Sequence, residues 1–131
     1  MVTVGYQALC WAGMGDQERS LALARSGVEQ TRAHELDFPR LIQGALRAHV
    51  LRMVGGVQHQ DELEAQITET LELIQRTDAQ GWLPLVLLER AGLARLRGDA
   101  DGMTRDLAEA RRLFAQMGVI GWDDYARSIE A

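Results

Sequence analysis

Leu93–Phe114 reads LARLRGDADGMTRDLAEARRLF, a run that ends one helix, turns at Gly98-Asp99 and opens a second amphipathic helix. Glycine tolerates the left-handed backbone that closes a helix, and the aspartate after it can cap the next one. After the turn, Met103, Leu107, Ala110 and Phe114, extended by Met117, recur at steps of three and four and make one apolar stripe. The same plan appears upstream. Gly15-Asp16 and Gly55-Gly56 mark two earlier turns, 40 and 43 residues apart from turn to turn along the chain. Phe38, Trp82 and Trp122 each open a new helix and are spaced by 44 and then 40 residues. Pro39 and Pro84 stand beside the first two of these aromatics, where a first-turn proline loses no helical hydrogen bond. Two markers with one period identify a repeat protein.

The other repeats carry matching stripes: Leu21, Ala24 and Val28 in the first, and Leu63, Ile67, Leu71 and Ile74 in the second. Asp61 with Glu64 three residues later has the form of a capping box. The expected helices are 3–14, 17–35, 39–54, 61–77, 83–97, 101–117 and 122–130. No segment keeps a period of two, which argues against strands. The expectation is a single all-α domain over 1–131. It consists of three helix-turn-helix units near 3–37, 38–80 and 81–119, with a capping helix over 121–131.

The ends differ. The last helix sets Trp122, Tyr125, Ala126 and Ile129 against Asp123, Asp124, Arg127 and Glu130, the polar outer face that a terminal cap needs. From Met1 to Gly15 there is no charged residue, and Val2, Val4, Tyr6, Leu9, Cys10, Trp11 and Met14 spread around the first helix. A helix apolar all round is normally covered all round. Val4, Tyr6 and Trp11 are therefore expected to meet either an upstream repeat, making this chain the end of a longer array, or a second copy of the chain.

These residues resemble the tetratricopeptide repeat, in which small residues mark helix crossings and a Gly-Asp-like turn joins the two helices. Ala8, Ser20, Ala24 and Gly27 fit the small positions of the first unit, Ala48 and Gly55 those of the second, and Ala91, Gly98-Asp99 and Ala110 those of the third. An insertion at Val57-Gln58-His59 lengthens the second turn. The long period is more similar to the degenerate C-terminal repeats of large bacterial signalling ATPases and transcriptional activators. The resemblance implies a right-handed α-solenoid that acts as a cytoplasmic docking or scaffolding module in signalling or regulation. Such a module holds a protein or peptide, and nothing in the resemblance implies chemistry.

Composition narrows the alternatives. The net charge of −5 disfavours a nucleic-acid backbone as partner. There is no lysine, which removes phosphate-loop, Schiff-base and lysine-base chemistry. The longest strongly apolar run, Trp82–Leu88, is far short of the ~20 residues a membrane helix needs. Cys10 reads as a buried structural thiol, and His34, His49 and His59 lack metal-ligand spacing. Gly13-Met14-Gly15 lacks the third glycine of a dinucleotide loop. Asp123-Asp124 and Glu62-Glu64 read as solvated faces, and the aromatics at 38, 82 and 122 as core anchors. The expectation is a protein that is not an enzyme and carries no cofactor or metal.

One pattern points to a binding surface. Aligning the units on their turn glycines puts Arg52 and Arg95 at one position, with His49 a turn before Arg52. In a tetratricopeptide array this position lies on the concave groove. The two arginines would form a two-rung basic ladder suited to carboxylates. The competing reading pairs both with neighbouring Glu or Asp. Two other functions remain open at this point: self-association through the first helix, and a small-ligand sensor with a pocket inside the groove.

Overall fold

The computed structural model describes residues 2–33, 37–119, 121 and 123–130, and leaves out the side chains of 2–6, 11, 30–33, 55–57 and 123. Val4, Tyr6 and Trp11 thus lie outside the described side chains, and His34 and Trp122 outside the described residues. The described residues form seven α-helices and no strand: α1 (Val2–Gly13), α2 (Gln17–Ala33), α3 (Asp37–Gly55), α4 (Gln60–Thr77), α5 (Leu83–Leu96), α6 (Ala100–Gln116) and α7 (Asp123–Glu130). Helices α1 and α2, α3 and α4, and α5 and α6 pack as hairpins. Between hairpins, α1 packs on α3, α3 on α5 and α5 on α7, while α2 packs on α3 and α4 on α5. The odd-numbered helices therefore form one contiguous layer.

The turns explain why the helix limits follow the glycines. Gly98 sits at φ 73°, which a side chain would strain, and lets its own N–H reach the carbonyl of Arg95 while the Asp99 N–H reaches Ala94. Asp99 then caps α6, its carboxylate accepting the Gly102 N–H at 2.9 Å. Asp16 does the same for α2, accepting the Arg19 N–H at 3.1 Å. The second turn differs. A 3-10 turn over Gly56–His59 fills the insertion, and His59, with no side-chain cap bond, precedes α4. Asp61 is therefore not the head of a capping box; it lies inside the first turn of α4, where its negative charge still favours the helix N-terminus.

Helix α5 is the hub, because its apolar residues run round the whole helix. Val86 and Leu93 join Leu41, Ala48, Leu51, Leu63, Ile67 and Ile74 in a core between α3, α4 and α5. Leu87, Leu88 and Ala91 join Leu107, Ala110, Phe114, Ala126 and Ile129 in a second core between α5, α6 and α7. A smaller cluster of Ala8, Ala24 and Val50 ties α1 and α2 to α3. Each fully buried leucine contributes roughly 1.5–3 kcal/mol by leaving water.

Three expectations about burial are corrected. Cys10 is exposed, on a side of α1 that its packing against α2 and α3 leaves open, so among the described residues α1 is not buried on all sides. Phe38 is 51% exposed, since it lies in the first turn of α3, ahead of the core that begins at Leu41. Met117 is also exposed, because α6 ends at Gln116 and the chain turns at Gly118 (φ 69°). Trp82 ends a 3-10 turn, stands at the N-cap of α5 as expected, and packs half-buried against the first core.

Candidate functional site

The odd-helix layer carries a buried polar cluster that unites α3, α5 and α7. Glu89 stands on α5 after the apolar run Leu83–Leu88 and is 5% exposed. From α3, one turn apart, come His49 and Arg52. His49 Nδ1 lies 2.7 Å from Glu89 Oε1, and Arg52 Nε donates to Glu89 Oε2 at 2.5 Å. Tyr125 of α7 closes the cluster. Its hydroxyl accepts from Arg52 Nη2, donates to Glu89 Oε1 at 3.3 Å and lies 3.0 Å from His49 Nδ1. The Arg52 guanidinium also stands 5.4 Å from the centre of the Tyr125 ring, within cation–π range.

Burial by itself would raise the Glu89 carboxyl. The hydrogen bond from His49 and the charge of Arg52 outweigh that, and hold it below its ordinary value. An ionised Glu89 can only accept, so the proton between it and His49 belongs to Nδ1. In neutral His49 the remaining ring nitrogen, Nε2, is then an acceptor, and it has no partner among the described residues.

Gly92 makes the cluster possible. It occupies the α5 position that corresponds to His49 in α3, and a Cβ there would fall on Arg52 Cδ. Without a side chain at 92, Arg52 lies across α5 and reaches Glu89. Gly44 plays a similar part at the α3–α4 crossing, where a Cβ would come 2.5 Å from Thr70 Oγ1 and 2.6 Å from Gln66 Nε2.

Two cavities open on this layer, one either side of the cluster. The first, of about 350 Å³, has Glu89, His49 and Tyr125 at its polar end, and among the described residues Leu9, Ala45, Leu46, Trp82 and Leu85 line the rest. The second, of about 420 Å³, is lined by Arg52, Gly92, Arg95, Leu96, Ser128 and Ile129. The predicted His49, Arg52 and Arg95 thus share one face, and both arginines line one cleft. They do not stand as two free cations in a ladder. Arg52 is bound to Glu89, and Arg95 donates to the Ile129 carbonyl at 2.9 Å. Trp82 is both a core contact and a cavity wall.

The opposite side of α5 is built from ion pairs. Arg90 donates from Nε and Nη2 to the two oxygens of Asp106, each at 2.9 Å, and Arg97 donates to Glu64 at 2.9 Å. Asp106 is 3% exposed. These residues line a polar cleft of about 400 Å³ between α4, α5 and α6. Glu62, expected to be merely solvated, takes Arg25 of α2 and Arg47 of α3. The Arg25 hydrogen bonds lead in lowering its carboxyl to about 2. Asp124 is exposed as expected.

Sequence reasoning missed Glu89 and Tyr125 as site residues. The signal for Glu89 was present: it is the first charged residue after Asp78, set against an unbroken apolar run. Among the described residues no group of three or more His, Cys, Asp or Glu could hold a metal ion. No described helix is long and apolar enough to cross a membrane. Compared with known proteins, the chain matches no family model, no curated protein and no solved structure.

Proposed function

We propose that this chain is a tetratricopeptide-like helical-repeat module, a right-handed solenoid that binds a protein or peptide on the layer formed by α1, α3, α5 and α7, and that it is not an enzyme. The supporting observation is the continuity of that layer. Residues from all four helices line the apolar cavity, the polar cluster and the arginine cleft in succession. A peptide laid across them would place apolar side chains against Leu46 and Leu85. It would place acidic groups by Arg95, whose guanidinium needs only to release one carbonyl. In this reading Arg52 and His49 hold the groove in shape and present its polar floor. A bacterial signalling or regulatory setting in the cytoplasm follows from the resemblance stated above, as does the absence of any cofactor.

The test is selection of displayed random peptides on the purified chain and on Leu46→Glu/Leu85→Glu. Enrichment of one motif on the first that disappears on the second supports the reading. Equal enrichment on both, or no motif on either, refutes it.

A second reading, self-association through α1, draws on the exposure of Cys10 and Met14 at that end of the layer. Light scattering at several concentrations tests it: a dimer dispersed by charges at Val4 and Trp11 supports it, and a monomer throughout removes it.

A further inference from the structure

We propose that the cavity beside His49 is a receptor for a small uncharged aromatic ring bearing one hydrogen-bond donor, of the phenol or indole class. The cavity's walls and its polar end set the two halves of this specificity. Leu9, Leu46 and Leu85 with Trp82 offer apolar surface and one aromatic face, which favours a flat apolar ring. A volume of about 350 Å³ lies toward the small end of ligand cavities, room for one or two rings.

The polar end selects by what its groups have left to give. Glu89 is spoken for by His49, Arg52 and Tyr125, and its negative charge is matched by Arg52. A cationic ligand would find no free anion there, and an anionic one would face the Glu89 carboxylate. Arg52 directs Nε to Glu89 and Nη2 to Tyr125, so its charge is turned inward. What remains among the described residues is His49 Nε2, an acceptor in neutral His49 because Nδ1 keeps its proton and donates it in the hydrogen bond to Glu89. One acceptor at the end of an apolar slot fits one O–H or N–H donor on the rim of a ring. A ring without a donor would leave that acceptor unpaired.

This inference rests on the cavity alone and does not depend on the peptide-binding reading. Phenol binding can hold while the peptide selection fails, and the reverse.

The full chain is titrated with phenol and toluene by calorimetry, with the His49 side-chain ¹⁵N signals followed by NMR. Phenol is expected to bind roughly three- to tenfold tighter than toluene, the ordinary contribution of one hydrogen bond, and to shift the Nε2 signal. Leu46→Trp, which fills the slot, is expected to abolish binding of both. Equal affinity for the two rings, an Nε2 signal that does not move, or phenol binding that survives Leu46→Trp each overturns the proposal. His49→Phe is expected to abolish the preference for phenol; if that variant does not fold, the wild-type shift and Leu46→Trp still decide. N-acetyl-tyrosinamide then separates the sources of the ring. Affinity equal to or above that of phenol means that the ring arrives on a polypeptide, and at least tenfold weaker binding means a free small molecule.

Discussion

Glu89 and Arg90 are neighbours on α5 and lead opposite lives. Glu89 faces the odd-helix layer, buried, with two basic groups and a phenol around it, at the edge of an apolar cavity. Arg90 faces α6 with a side chain 43% exposed and closes a two-pronged pair with the buried Asp106 in a polar cleft. Both are ion pairs across helices and both border a cavity, apolar beside Glu89 and polar beside Arg90. In the first, the carboxylate is central and the two basic side chains around it are partly exposed. In the second, the carboxylate is terminal and the cation is the bridge to solvent. Burial of the acid is common to both, so the difference lies in how many groups depend on it.

That dependence predicts the largest effect. Glu89→Leu removes the anion and leaves Arg52 and His49 without it, at a cost of about 3–5 kcal/mol in chemical denaturation. The triple change Glu89→Leu/His49→Leu/Arg52→Met is expected to recover most of that loss, since a buried ionic group is often no better than apolar packing. A triple variant as unstable as the single one would mean that the cluster contributes net stability. In acid the sign follows from the lowered carboxyl. Glu89 contributes fully above about pH 4.5, the ordinary value of a glutamate, and its contribution fades as the pH falls through the lower folded value. Glu62 behaves alike, its share lost between about pH 4.5 and about 2, and Glu62→Gln should flatten that part of the stability profile.

The second prediction breaks the Arg90–Asp106 pair from each end. Arg90→Ala leaves Asp106 buried without its fork, at a cost of about 2–3 kcal/mol. Asp106→Ala leaves an arginine that can swing into water, and should cost about 1–2 kcal/mol less than the reverse change. Equal costs measured by urea unfolding would show that Arg90 is as captive as Arg52, and would erase the contrast between the two sides of α5.

How much of this was readable follows the same divide. Helix limits were legible wherever a glycine and an aspartate share a turn. Gly98 closes α5 and Asp99 opens α6 within two residues, and both act locally through backbone geometry. The capping box at Asp61 failed because the inserted 3-10 turn moved the start of α4 to Gln60. His49, Arg52 and Arg95 were placed on one face by register alone, and in the structure His49 lines the apolar cavity while both arginines line the neighbouring cleft. Their partners were not legible, because Glu89 and Tyr125 meet α3 only once α5 and α7 are docked against it. The period that picked out Phe38 and Trp82 was real in spacing and uneven in burial, since only Trp82 stands over a core.

Gly92→Ala sharpens the Glu89 side by a change of sign. In a helix interior, alanine is ordinarily better than glycine by about 1 kcal/mol. Here the new Cβ falls on Arg52 Cδ, so Arg52 must leave Glu89 and Tyr125, and the net effect is a loss of about 1–2 kcal/mol. In an Arg52→Ala background the obstruction is gone, and the same substitution should stabilise by about 0.5–1 kcal/mol. A loss in both backgrounds would place the obstruction elsewhere than at Arg52.

The smallest expected effect lies on the Arg90 side, where Asp99 caps α6 at the rim of the polar cleft. Asp99→Ala removes the acceptor of the Gly102 N–H and should cost about 1 kcal/mol, whereas Asp61→Ala, which removes a first-turn charge and no cap, should cost only a few tenths. Because the cap acts on one helix end, its loss should leave phenol binding in the His49 cavity unchanged, while Glu89→Leu should abolish the preference for phenol by freeing the His49 Nδ1 proton to change places. A cap variant that alters the cavity would mean that α6 and the odd-helix layer move together, and α5 would then join its two faces rather than divide them.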